Sequence, residues 1–214
     1  MPEHAATANQ HLRKSGDLDV PASAEGDVRA GADGEQIKGN KSAAEDEERS
    51  ALMLAAKSGS VEDVQRLLDA GASVNERDNC WRTPLLFAAE HGHDTVMKLL
   101  INRAAEVDAF DSDGRTALFF AAKHCHLDAL VTLIESGAAH GASVDDTGGF
   151  NRTSLFNAAA KGYEDVVKAL IQHGASVDAL DDASATALFM AAESGRVGVM
   201  RVLLESGADP NHKD

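Results

Sequence analysis

The sequence predicts an all-α solenoid: short helix pairs stacked side by side, following a disordered N-terminal tail. Three observations lead there. Alanine pairs recur at 55–56, 88–89, 121–122, 158–159 and 191–192, at spacings of 33, 33, 37 and 33 residues. Each pair sits in one frame, seen as TPLLFAAEHG at 83–92 and TALFMAAESG at 186–195, and a second apolar block follows, such as VVKALIQHGASVD at 166–178. The chain also holds 38 alanines against nine aromatic residues, so its apolar surface is built from small side chains that let helices approach closely. A unit of this size cannot enclose a core alone, but stacked units can.

The tail comes first. Residues 1–49 contain no aromatic residue, and their few non-alanine apolar residues follow neither helical nor strand spacing. With eleven acidic and six basic residues, this acidic segment cannot bury enough apolar area to offset its ordering entropy. The repeats are then expected at 50–82, 83–115, 116–152 (with a four-residue insertion), 153–185 and 186–214. Within the second repeat, Thr83 is placed as N-cap and Pro84 at the first helical position, where its missing donor costs nothing. Leu85, Ala88 and Ala89 share a face, and Gly92 supplies a left-handed exit. A second helix over about 93–102 turns Val96, Leu99, Leu100 and Ile101 inward, and glycines 71, 174 and 207 end its counterparts. The Ser-Val-Asn or Ser-Val-Asp stretch after it reads as an extended hairpin limb.

Composition narrows the function classes. No run of 18 apolar residues exists, so no membrane insertion is expected, and the first 30 residues lack the apolar stretch of a secretory signal. A formal charge of −15 disfavours direct nucleic-acid binding, and two cysteines cannot build a disulfide framework. An intracellular protein, cytoplasmic or nuclear, is the expectation.

The repeat frame resembles the ankyrin repeat, whose T-P-L-H-x-A signature is matched by Thr83-Pro84-Leu85. The resemblance covers residues 50–214 and implies five stacked ankyrin repeats, each a helix-turn-helix with a hairpin loop. It further implies a non-catalytic module or scaffold that binds a protein partner through the groove between hairpins and first helices. Two alternatives are an inhibitor that masks a partner's functional surface, and the substrate-docking part of a larger enzyme or pathogen effector. The signature histidine is replaced throughout, by Met53, Leu86, Phe119, Phe156 and Phe189, so a hydrophobic ladder is expected in its place. Asn75 and Asn211 are similar in spacing to the asparagines hydroxylated in ankyrin repeats, which makes them candidate modification sites.

Four departures stand out. Cys125 and Ala104 occupy positions where glycine turns the chain, at a cost on the order of 1 kcal/mol each, which predicts softer second and third repeats. The extra residues between Gly137 and Gly141 should add a helical turn or a bulged loop. Asp-Thr-Gly-Gly-Phe at 146–150 breaks the usual order of the hairpin tip. Near residue 214, Val202 and Leu203 are expected to lack a covering repeat, so the chain should be monomeric unless this last repeat associates.

No phosphate loop, nucleophile elbow, zinc-protease helix or dinucleotide fingerprint appears, so no catalytic residue or cofactor is predicted. His91, His93, His124, His126 and Cys125 suggest a metal. However, equivalent positions in adjacent repeats lie about 10 Å apart, and zinc needs donors within about 2.3 Å of one centre. Asp111–Gly114 resembles part of a calcium loop, but the required acidic positions fall on Ala109 and Phe120. The strongest candidates line the predicted groove. Arg82, Arg115 and Arg152 continue a ladder begun by Arg49 and broken at Ala185. Trp81, Phe110 and Phe150 lie on the hairpins, and His91, Lys123, His124 and Lys161 near the far ends of the first helices, after Lys57. This pattern reads as a locally basic, aromatic-bearing face suited to an acidic or phosphorylated segment.

Overall fold

A computed structural model describes residues 49–140 and 143–211, without the side chains of 138–140 and 149; all of the expected tail except Arg49 lies outside the described residues. Ten α-helices form there, in five pairs: α1 Ala51–Ser58 with α2 Val61–Asp69, α3 Pro84–Glu90 with α4 Asp94–Asn102, α5 Ala117–Lys123 with α6 Leu127–His140, α7 Ser154–Lys161 with α8 Glu164–Gln172, and α9 Ala187–Glu193 with α10 Val197–Glu205. Each first helix packs on the next first helix and each second helix on the next second helix. The seam is the alanine step: Ala56, Ala88, Ala89, Ala121, Ala122, Ala158 and Ala159 are fully buried. In α4 the core-facing residues are Val96, Met97 and Leu100, while Leu99 and Ile101 sit at the margin.

Helix starts depart from expectation in an instructive way. The hydroxyls of Thr116 and Thr186 accept from the N–H groups of Phe119 and Phe189 at 3.4 and 3.2 Å. Thr83 holds the N-cap position without such a bond, and so does Thr153. There the N–H groups of Leu86 and Phe156 are directed to the threonines' own carbonyls, at 3.1 and 3.2 Å. Both hydroxyls are left buried without a partner.

The extra residues lengthen α6 to 14 residues, where α2, α4, α8 and α10 have nine. The helix runs through Gly137, at the position where Gly71, Gly174 and Gly207 leave theirs with φ of 92°, 90° and 94°. Cys125 and Ala104 do take the left-handed conformation, with φ of 61° and 65°.

Among the described residues the connections are turns rather than extended hairpin limbs, with one isolated bridge between Phe110 and Thr116. Three of the four loops are closed by an aspartate: Asp78, Asp111 and Asp181 each accept two backbone N–H groups, those of Arg82, Arg115 and Ala185 among them. Gly148 stands at this position in the other loop, where Phe150 and Asn151 both adopt positive φ.

The hydrophobic ladder is partial. Met53, Leu86 and Phe156 are buried, Phe119 is half-buried, and Phe189 is 47% exposed. The last pair leaves its outer face open, but not at the residues expected. Leu203 is fully buried in the continuous core, and Val202 is half-buried and packs against it. The open residues are Leu204, Ala192 and, in part, Met200.

Candidate partner-binding surface

The arginine ladder forms, interleaved with rings. The guanidinium carbon of Arg49 lies 4.8 Å from the centre of the Phe87 ring, and that of Arg82 lies 4.0 Å from it. Arg82 and Arg115 then approach Phe120, at 5.4 and 5.3 Å. Phe87 and Phe120 are buried beneath this cover. Sequence reasoning missed their part in the surface, although its signal was there: each follows a ladder arginine by five residues, one repeat apart. The stack stops at Asn157, which replaces the next ring and donates to the Thr153 carbonyl.

The same arginines are already matched by carboxylates. Arg49 lies 4.0 Å from Asp78, Arg82 bonds Glu90, Arg115 bonds Asp111 and Asp113 at 2.6 and 2.9 Å, and Arg152 bonds Asp181 at 2.9 Å. The side chains of Asp111 and Asp181 are almost completely buried. Burial pushes the Asp181 carboxyl up, yet the N–H groups of Ala185 and Ala183 and the Arg152 guanidinium outweigh it and hold the group below the usual range. Glu90 shows the same balance, burial being overcome by Arg82. On the hairpin side of the groove the ladder arginines thus stand opposite carboxylates of the protein itself. Over 76–82, 106–115, 143–152 and 176–185 the loops carry eleven carboxylates against four arginines.

The hairpin aromatics behave differently from the core. Trp81, Phe110 and Phe150 are 55%, 47% and 76% exposed. Trp81 and Phe150 also hold φ of 64° and 65°, a conformation that is unfavourable for bulky side chains. Arg77 joins the first two rings, its guanidinium carbon 5.6 Å from Trp81 and 5.9 Å from Phe110, while it pairs with Glu106 at 3.2 Å.

At the opposite side of the groove, Lys123 and Lys161 sit in the last turns of α5 and α7, where a cation complements the helix dipole. His91 Nδ1 hydrogen-bonds the Phe87 carbonyl at 3.0 Å. Burial, then the nearby Lys123, holds the His124 imidazole below its ordinary pKa. His91 stacks on His93, and His124 on His126, with ring centres 6.1 Å apart in both pairs. The second member of each pair is structural. His93 and His126 bond the carbonyls of Lys57 and Glu90 in the preceding repeat, at 3.0 and 3.1 Å. Among the described residues no three of His, Cys, Asp or Glu gather as a metal site.

Asn75 also spans two repeats, donating to the Ala104 carbonyl at 3.2 Å and accepting from the Glu106 N–H at 2.9 Å. The Asn211 N–H bonds Asp209. No helix among the described residues is long and apolar enough to cross a membrane.

The family model for ankyrin repeats, built on three copies, matches residues 52–144 and 138–214. No curated protein matches the chain. Ankyrin repeats are generally protein–protein interaction modules and typically non-catalytic. Helix pairs, alanine seams and family match together place this chain in the ankyrin-repeat family.

Proposed function

We propose that the chain is a non-catalytic recognition module that holds a protein partner across its concave side, with Trp81, Phe110 and Phe150 as the anchoring side chains. The observation that carries this reading is the exposure of all three hairpin rings, a level that among the first-helix phenylalanines only Phe189 of the last pair reaches. Phe87, Phe120 and Phe156 are at most 2% exposed, whereas the three hairpin rings are all at least 47% exposed. Exposed aromatics grouped on one edge are what interface hot spots use. Arg82, Arg115 and Arg152 border these rings, and His91, Lys123, His124 and Lys161 form the opposite wall. An anionic segment reaching the ladder would compete with the carboxylates already on Arg82, Arg115 and Arg152. The reading therefore rests on the rings and not on the arginines.

Proximity labelling in the native cell, followed by capture with the full chain, identifies the partner. Replacing Trp81, Phe110 and Phe150 together by alanine should then abolish its binding, while Lys98→Ala on the second-helix side leaves it intact. Undiminished binding by the folded triple variant would sink the proposal.

A further inference from the structure

We infer that the hairpin edge recognises a cationic segment, one that presents arginine or lysine side chains to the rings of Phe110 and Phe150. The inference rests on the concave-side reading above and adds the partner's chemistry. Its first support is an internal precedent. Arg77 already lies against Trp81 and Phe110 while its charge is met by Glu106. Ring plus carboxylate is thus a combination this edge already uses to hold a guanidinium.

The second support is that Phe150 repeats half of that arrangement with its ring exposed. The Phe150 carbonyl accepts the N–H of Asp182 at 3.1 Å, so the backbone of an exposed, carboxylate-bearing residue meets the backbone that displays the 76% exposed Phe150 ring. Charge complementarity is the third. The loops carry eleven carboxylates against four arginines, and the arginines are themselves paired. Asp146 registers the surplus: burial pushes its carboxyl up, the Ser143 backbone opposes this, and Asp108 and Asp145 push it further up. An approaching cation relieves that repulsion, and a carboxylate would add to it.

Backbone conformation supports the same edge. Trp81 holds the left-handed turn position that Gly114 holds in the next loop, and Phe150 takes a similar conformation. Both rings are displayed at the expense of backbone comfort, with no core packing in return.

The single tryptophan of the chain is Trp81, which makes the edge its own fluorescent reporter. The probes are a nonapeptide of three Arg-Gly-Gly units and its Glu-Gly-Gly counterpart, titrated into the full chain. The arginine peptide should shift Trp81 emission, with an affinity that falls as salt rises, and the glutamate peptide should not. Phe110→Leu with Phe150→Leu should weaken the arginine peptide by about tenfold without changing net charge, and the corresponding tyrosine pair should restore binding. Circular dichroism confirms that each variant is folded.

Equal binding of both peptides, or an unchanged affinity in the leucine pair, would overturn the inference. The second result would reduce the interaction to attraction by an acidic chain. Neither result touches the concave-side reading, which falls only if the captured partner ignores the triple alanine variant.

Discussion

At three seams between neighbouring repeats a side chain crosses to the carbonyl at the end of the preceding first helix: His93 to Lys57, His126 to Glu90 and Arg196 to Ala160, at 3.0 to 3.1 Å. Beneath each crossing lies a glycine with positive φ, namely Gly59, Gly92 and Gly162. A methyl group there would come within 2.6 Å of His93, 2.5 Å of His126 and 2.8 Å of Arg196. The remaining seam has Cys125 in place of the glycine and Tyr163 in place of the crossing side chain. The two departures explain each other, because the Cys125 side chain occupies the space an imidazole would need. Cys125→Gly alone should relieve about 1–2 kcal/mol of left-handed strain. Extra freedom in the unfolded chain returns about 0.4–1 of that.

Tyr163→His alone removes a ring at the margin of the core and cannot seat the imidazole, so it should destabilise by about 1 kcal/mol. Together they should open a bond to the Lys123 carbonyl worth about 0.5–1.5 kcal/mol. The pair is therefore expected to exceed the sum of its parts by about 1.5–2 kcal/mol, which combines the bond gained and the clash removed. Urea denaturation of the four chains measures this as a displaced midpoint at constant slope. Hydrogen exchange should show the gain in α5–α8. Additivity within about 0.5 kcal/mol would refute the reasoning, since the bond and the clash are what couples the two positions.

Two further outcomes follow from the packing. Thr83→Val should be neutral or stabilising by up to about 1 kcal/mol, because its buried hydroxyl has no partner, whereas Thr116→Val should cost about 1 kcal/mol of cap energy. Thermal unfolding of the two variants side by side checks the contrast. Asp181 and Glu90 have folded-state pKa values below their ordinary ones, so the stability they contribute is complete above the ordinary carboxylate range and is lost as pH falls from that range through their lowered folded-state values. Midpoints measured from neutral to acidic pH should drop there. Asp181→Asn should start lower and drop less.

The fold was legible because its main signal is local and repeated. Ala88-Ala89 and its counterparts mark the seam, and the glycines after them mark the turn. The glycine–histidine couples are present in the same rows but are easily passed over, since His93 reads as a metal-ligand candidate and not as the partner of Gly59. Thr83 shows the other limit. Its N-cap position was readable, but the direction of its hydroxyl depends on where the Leu86 N–H points, which composition does not encode. The path of α6 through Gly137 likewise depends on the residues beyond that glycine.

The candidate surface shows why a row of identical residues is not a row of identical environments. Arg49, Arg82, Arg115 and Arg152 share one repeat position, but what neutralises each is set by other rows. Eight residues on stand Lys57, Glu90, Lys123 and Ala160, so among the four only Arg82 finds a carboxylate there. In the loops the decisive residue is Gly148. Its absent carboxylate turns Arg115 back to Asp111 of its own loop and sends Arg152 forward to Asp181 of the next. Read alone, the arginine row predicts a positive groove. Together with the aspartate row and its single glycine, it predicts closed ion pairs, beside which the exposed rings and the surplus of carboxylates stand without such closure.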